Sequence, residues 1–594
     1  MEVREGRLVY VSALLLLCLL SSINAIKPNI IFILTDDQDA TANSLDYMPR
    51  LNKIMREGGT EFTQFYVSTG LCCPSRATIL RGQYCHNTEI WDNGGMNNDT
   101  FLSGGFEKFR KLKLENSTVA TLFQNGGYET MLCGKYINGY KDNHAHHVPK
   151  GWDHWQGMTD LSYFGPHVSV DGNLVNTSNS TYQTDYIRDQ ALEFLTKKRN
   201  KNKPFFLYLS PHAPHAPSLP APRHANLFNN MTAPKNPSYN PDDDVQQQKP
   251  SWLKILPKLD QNQMDRLDEF YRNRLRAMLA VDEMLQNITD TLEKEEILDN
   301  TYIFYASDNG QHLGDYRLSA GKRQAYDTDV RVPFLVRGPG VMAGVKNNQL
   351  LQNVDFLPTW VELAGIKGPE DVKQQDGKSM VPLLTGDNSD EEFRTAAIIE
   401  MYGGSSGMNA QMYGKFKDFE GSRFWNNTYV AIRVTGSIPQ LYSGSNYLFA
   451  LWCTGEMELY NVTTDPYELK NTVGQLTTQE VMGLQELVVT LSKCVGSECY
   501  DMKQILNNVI INLEYRMNIG SSSSAQIPCH NPSDFPPDYS MDNLLRYIDD
   551  ARYCYEDIEK CEKELFRYGL PFADEDIIPE HVLVAWKSHE NRRQ

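Results

Sequence analysis

Two places in the sequence set oxygen-bearing side chains directly after a short apolar run. Asp36-Asp37 follow Ile30 to Leu34, and Asp308-Asn309 follow Ile303 to Ala306. Three carboxylates and one amide oxygen form a hard-oxygen set suited to Ca2+ or Mg2+, and less to zinc, which favours His and Cys. Taken singly, either pair reads better as a helix cap or a loop turn than as a ligand set. Taken together they gain weight, because ligands of an open α/β sheet bind beyond the carboxyl ends of its strands, and both pairs would then face one crevice.

A third segment decides between these readings. Leu71-Cys72-Cys73-Pro74-Ser75-Arg76 runs on to Leu80-Arg81-Gly82. Read blandly, adjacent cysteines are a disulfide framework and Pro-Ser is a turn that starts a helix. In its order, however, Cys-x-Pro-Ser-Arg followed by Leu-x-Gly resembles the signature of the type I sulfatases, whose first cysteine is oxidised to formylglycine in the endoplasmic reticulum. The family's usual Leu-Thr-Gly is here Leu80-Arg81-Gly82. The resemblance continues through the Asp-Asp pair, Gly134-Lys135, the His212/His215 segment, Ser307 to Gly310, Lys322, Val354 to Thr359 and Glu458 to Asn461. It covers roughly residues 27 to 475.

The resemblance implies an alkaline-phosphatase-like α/β fold and hydrolysis of a sulfate monoester. Such an anion shields its sulfur behind negative oxygens, so the site must supply cations and a strong nucleophile. A formylglycine at Cys72 would hydrate to a gem-diol, one hydroxyl attacking sulfur and the other expelling sulfate by collapse to the aldehyde. The implied metal ligands are Asp36, Asp37, Asp308, Asn309 and the modified Cys72, around one Ca2+. Arg76 would stabilise the gem-diol; at i+4 from Cys72 it shares a helical face if a helix starts there. Lys135 and Lys322 would neutralise sulfate oxygens. His215 would sit on the leaving-group or sulfate oxygen, with His212 a further candidate.

One departure matters. Many members read Gly-Lys-x-His, whereas this chain reads Gly134-Lys135-Tyr136-Ile137-Asn138, and Ile137 cannot transfer a proton. The Gly-Lys-Tyr-x-Asn form and the double cysteine look most like the N-acetylglucosamine-6-sulfatase branch, which makes Asn138 a candidate substitute. His146-His147 precede Val-Pro where that branch has a His-Val-Pro segment, which makes His147 a candidate substrate contact. The implied substrate is a 6-sulfated glucosamine of a glycosaminoglycan. An arylsulfatase acting on small aryl or plant-derived sulfates uses the same core. A phosphoesterase of this superfold would carry Ser or Thr as nucleophile and zinc-type ligands. A non-catalytic secreted glycoprotein would have no need of the full set.

Positioning these residues requires a sheet. Asn29 to Leu34, Pro204 to Leu209, Thr301 to Ala306 and Val332 to Val336 have the doubly buried character of parallel strands. Met48 to Glu57, Ser117 to Asn125, Thr184 to Lys198 and Asp265 to Glu296 carry helical spacing between them. This alternation predicts an α/β layered domain over residues 26–395. Residues 216–262 form a polar surface insertion. Shorter runs at Tyr429 to Arg433, Tyr447 to Trp452 and Met457 to Asn461 predict a small antiparallel sheet within an α+β subdomain at 396–495. Residues 496–594 form an extension whose role the sequence leaves open, with an amphipathic stretch near 541–567.

The composition sets the remaining limits. The 594 residues are 41% hydrophobic and 22% charged, which excludes a wholly disordered or collagenous chain. A net charge of -18 argues against nucleic acid as partner, because phosphate backbones require clustered Lys and Arg. Arg4 and Arg7, the apolar run Tyr10 to Leu20 and Ile23-Asn24-Ala25 read as a secretory signal peptide over 1–25, too short to span a bilayer. The destination is then lysosomal or secreted, the formylglycine-generating enzyme a biosynthetic partner, and the oligomeric state open. Most cysteines are expected to pair; Cys494/Cys499 and Cys554/Cys561 are close enough for small loops, the connectivity is left open by the sequence, and an odd count leaves one thiol over, Cys73 beside the nucleophile. Sequons at Asn98, Asn116, Asn176, Asn179, Asn230, Asn287, Asn426 and Asn461 predict a glycosylated surface.

Overall fold

Every residue of strand β1 (Asn29–Thr35) is buried, and a strand buried on both faces dictates a sheet covered by helices on each side. The computed structural model describes residues 27–94, 103–366, 375–386, 392–402 and 427–518. Within them, β1 belongs to a ten-stranded sheet with β2 (Thr60–Phe62), β3 (Glu129–Gly134), β4 (His154–Met158), β5 (His167–Val170), β6 (Asn173–Asn176), β7 (Phe205–Ser210), β8 (Thr301–Ser307), β9 (Phe334–Arg337) and β10 (Val345–Asn347). The spatial order is β10-β2-β9-β8-β1-β7-β3-β4-β5-β6. The central five, β8-β1-β7-β3-β4, are parallel.

Alternation along β1 divides the core in two. Ile30, Phe32 and Leu34 face helices α1 (Cys72–Arg81) and α4 (Phe356–Leu363), where the Phe32 ring lies 5.1 Å from Phe356 and 4.8 Å from Trp360. Ile31 and Ile33 face α2 (Gln183–Glu193) and α3 (Gln261–Lys294). Met278, Val281, Leu285, Ile288 and Leu292 of α3 fall on one helical stripe and are all buried. At its start the Asp260 side chain accepts the Gln263 N–H while Gln263 reaches back, a reciprocal cap that fixes where the helix begins.

The expected strand near Val332 to Val336 is present as β9, but it runs antiparallel to β8 rather than parallel. A parallel return needs a long crossover, usually helical, and residues 308–333 hold only the four-residue helix Asp327–Val330. The polar insertion at 216–262 is pinned by Lys249, whose Nζ sits 4.1–4.3 Å from the ring centroids of Tyr316, Tyr326 and Tyr460.

A second, four-stranded antiparallel sheet orders β11 (Ala396–Met401), β12 (Tyr429–Ile438), β13 (Tyr442–Trp452) and β14 (Met457–Asn461). Helices α5 (Thr478–Leu491) and α6 (Met502–Asn518) belong to its core. The Cys494–Cys499 disulfide forms as expected, and Cys453 is also disulfide-bonded. Cys73 is free as expected, and so, among the described residues, are Cys72, Cys85 and Cys133. Each is fully buried within its own element: Cys85 opens the helix Cys85–Thr88 and Cys133 faces the apolar core from β3.

Of the sequons, Asn116, Asn176, Asn179 and Asn230 are exposed and Asn287 and Asn461 half-buried, with Thr289 of the Asn287 sequon turned into the core. The signal segment, Asn98, Asn426, Cys529, the Cys554/Cys561 pair and the 541–567 stretch lie outside the described residues. No helix among the described residues is long and apolar enough to cross a membrane.

Candidate active site

Register explains why the two oxygen-rich pairs meet. Thr35 of β1 pairs with Ser307 of β8, so Asp36-Asp37 and Asp308-Asn309 leave the sheet side by side at its carboxyl edge. Asp37 takes a left-handed φ of 69°, which turns its carboxylate back toward that of Asp36 instead of onto the opposite face. The Asp37 N–H donates to Asp308 Oδ1 at 3.0 Å, and Asn309 Nδ2 donates to Asp37 Oδ1 at 2.8 Å. On the other flank, Gly134 of β3 pairs with Ser210 of β7, so Lys135 and the His212/His215 segment arrive at the same edge.

Cys72 enters as the first residue of α1, with Leu71 extended before it. Its Sγ lies 2.8 Å from Lys322 Nζ and 3.5 Å from Asp36 Oδ1. One turn on, Arg76 is fully buried: Nε donates to Asp308 Oδ2 at 2.8 Å, and Nη1 to the Lys135 carbonyl at 3.0 Å and Ser210 Oγ at 2.8 Å. Lys135 Nζ donates to Asp36 Oδ2 at 2.6 Å, and Lys322 Nζ to Asp37 Oδ1. His212 Nδ1 lies 3.0 Å from Asp36 Oδ2. His215 Nδ1 donates to the Ala216 carbonyl at 2.7 Å, which leaves Nε2 facing Asp37 Oδ2 at 3.6 Å.

This crowd of charges sets the protonation states. Burial works against an ionised Asp36, yet Lys135, His215, His212 and Arg76 hold its carboxyl well below the usual range. Burial and the neighbouring Asp36 raise Asp308. Burial pushes His215 down to about 4 despite Asp37 and Asp36.

The donor set fits a hard cation. Ligand atoms of Asp36, Asp37, Cys72 and His215 lie within 4.8 Å of one another. Asp37 Oδ2 and Asn309 Oδ1 are buried without any hydrogen-bond partner, and such orphaned oxygens are costly unless a cation meets them.

Comparison with known proteins agrees with this geometry. Residues 28–366 match the sulfatase family model, and residues 314–429 match the N-sulphoglucosamine sulphohydrolase C-terminal model. The chain belongs to the sulfatase family. An arylsulfatase of Volvox carteri is 34% identical over 81% of this chain and 77% of its own. The N-acetylglucosamine-6-sulfatase of Homo sapiens is 31% identical over 80% of this chain and 86% of its own. Among solved structures, BT4656 in complex with its substrate D-glucosamine-2-N,6-O-disulfate superposes with a TM-score of 0.60 at 26% identity, covering 81% of this chain and 99% of that one. The fold is therefore alkaline-phosphatase-like, and the protein is a sulfuric ester hydrolase.

The structure of this sulfatase brings together Asp36, Asp37, Cys72, Arg76, Lys135, His212, His215, Asp308, Asn309 and Lys322. His147 is directed elsewhere, because Glu115 accepts from its Nε2 at 2.8 Å and its ring packs against Phe106. Among the described residues no hydrogen bond ties the Asn138 side chain to the cluster: its carbonyl accepts the Phe106 N–H at 2.8 Å and its Oδ1 is buried without a partner.

Two contributors escape motif reading. Ser210 holds Arg76, and Arg274 reaches from the middle of α3 to the Asp37 carbonyl at 2.7 Å and Asp39 Oδ1 at 2.9 Å. Ser210 ends an apolar strand run directly before Pro211-His212, which is a usable signal; Arg274 has none.

Proposed function

We propose that this sulfatase carries formylglycine at position 72, made by the formylglycine-generating enzyme, binds one Ca2+ through Asp36, Asp37, Asp308, Asn309 and the modified residue, and removes a 6-sulfate from an N-acetylglucosamine end of a glycosaminoglycan. The observation that carries this reading is the placement of Cys72 at the start of a helix, against the aspartate cluster and under Lys322. The ion would polarise sulfate oxygens and the nucleophile, and the hydrated aldehyde would supply one hydroxyl to attack sulfur and a second to expel sulfate. The chain's own part is electrostatic and positional. Lys135 and Lys322 offset sulfate charge from two sides. Arg76 holds Asp308 and leaves Nη2 unpartnered within 3.8 Å of Asp36 Oδ2, free to stabilise the hydrate. His215 presents Nε2 toward the cluster as the candidate group on the leaving-group or sulfate oxygen.

The sugar substrate is supported by the N-acetylglucosamine-6-sulfatases and by BT4656 among the relatives. The Volvox carteri arylsulfatase, similar at a comparable level, supports the alternative of a small aryl sulfate. A lysosomal or secreted location follows from the signal segment and accords with the extracellular sulfatase relatives. Two measurements test the reading. Mass spectrometry of the peptide containing Cys72, from cells that make the modifying enzyme, should show the aldehyde, and an unmodified cysteine in active protein overturns it. A panel of 6-sulfo-N-acetylglucosamine, oligosaccharide ends and an aryl sulfate should favour the sugars; activity on the aryl sulfate alone overturns the substrate.

A further inference from the structure

Asp37 offers a ligand atom from a backbone conformation that its own side chain disfavours. Its φ of 69° is left-handed, and a non-glycine residue stays there only where its surroundings hold it. The peptide plane that follows is held at both ends: the Gln38 N–H donates to Ser307 Oγ at 2.8 Å, and the Asp37 carbonyl accepts from Arg274 Nη2 at 2.7 Å. Ser307 ends the neighbouring strand β8, whereas Arg274 comes from the middle of α3, 237 residues away in sequence.

Arg274 is anchored in turn. Its side chain is buried, and the same Nη2 donates to Asp39 Oδ1 at 2.9 Å, so its charge is paired. Asp39 Oδ2 accepts the Ala42 N–H and, at 3.0 Å, the Thr41 hydroxyl. Tyr271, three residues before Arg274 and on the same face of α3, donates to the Ala42 carbonyl at 2.9 Å. The turn that leaves β1 is thereby docked on α3. Its inner end is Asp37, whose Oδ2 is buried without a hydrogen-bond partner. The carboxylate of Asp37 thus faces the cluster while α3 grips its carbonyl.

We propose that Arg274 is a positioning residue of the cation site, holding the Asp37 peptide so that Oδ2 stays turned into the cluster. The proposal rests on the calcium reading and adds to it a residue outside the ligand set. Charge and position pull in opposite directions here, which makes them separable. Losing the guanidinium would leave Asp39 as an added negative charge near the cation, and charge alone would then tighten binding. Losing the grip on the Asp37 carbonyl lets the left-handed turn relax and weakens it. Calcium titration calorimetry on chelator-stripped protein, purified from cells that make the modifying enzyme, tests this beside thermal melts. For Arg274→Gln the calcium Kd should rise roughly 10- to 100-fold, the scale of a partner lost behind a metal ligand. Arg274→Lys keeps a charge for Asp39 on a stem that ends short of the Asp37 carbonyl, and its Kd should rise at least about 3-fold. It decides the matter where Arg274→Gln fails to fold. A residue that only pairs Asp39 would lower the melting temperature and leave Kd alone; an unchanged or tighter Kd overturns the positioning role and leaves the calcium site standing. Wild-type protein that binds no calcium overturns the calcium reading and this role with it.

Discussion

At the scale of single residues, the site shows why Arg76 is an arginine. Its guanidinium serves Asp308 with one edge and the Lys135 carbonyl and Ser210 with another, a fork that a lysine cannot reproduce. Arg76→Lys should lower kcat about 100- to 1000-fold and lower the melting temperature, because a buried carboxylate loses a partner matched in shape; kinetics and a thermal melt check both. Asp37 makes a different point, since its Oδ2 is orphaned while Oδ1 already meets Lys322 and Asn309. Asp37→Asn removes one charge from the cation's set and should weaken calcium affinity at least tenfold, read by titration calorimetry and by the calcium dependence of activity. The aspartate pairs and the Cys72 segment were legible in the sequence because each is a short run of consecutive residues. Arg274 was not, since it becomes a neighbour of the site only through tertiary packing.

At the scale of elements, what matters is where strands end and how closely they approach. Gly134 closes β3 with φ of 122°, and a Cβ there would come within 2.1 Å of the Ser210 carbonyl oxygen. Gly134→Ala therefore meets backbone, not a side chain that can move aside, and combines that clash with an unfavourable φ. The expected cost is about 3 kcal/mol or more of stability. Lys135 follows directly, so catalysis should fall further than the unfolded fraction accounts for; denaturant melts beside single-temperature kinetics separate the two. Apolar runs such as Ile30 to Leu34 announced the central strands because burial on both faces leaves no polar positions. The direction of β9 was misread for a related reason: a short apolar run carries no information on orientation, which is set by the length and helicity of the connection before it. Which cysteines beyond the short loops pair was not legible, because pairing depends on a second cysteine lying opposite in space, and spacing along the chain does not show that.

At the scale of the whole molecule, an acidic chain of net charge -18 reserves a dense group of cations for its anionic substrate, and a second buried charge centre lies away from that site. His86, just beyond α1, directs Nδ1 to Glu400 Oε2 of β11 at 2.8 Å and Nε2 to the Cys494 carbonyl at 3.0 Å. Three segments distant in sequence are joined through one ring. Both ring nitrogens meet acceptors, so the arrangement is complete only in the imidazolium form. Burial alone would lower the pKa of this histidine, but Glu400 in particular outweighs it and carries the group up to about 9. A histidine raised above its unfolded value of about 6.5 contributes its full stabilisation below that pH and loses it as pH rises through about 9. The size of the effect is on the order of 3 kcal/mol. The join between the motif helix, β11 and the disulfide loop should accordingly hold from acid to neutral pH and loosen in alkali. Melting temperatures measured from pH 6 to pH 10 should decline for the wild type, while His86→Gln, lower throughout the acid range, should show a flatter profile across about pH 6.5–9. Parallel profiles for the two proteins would show that His86 does not link stability to pH.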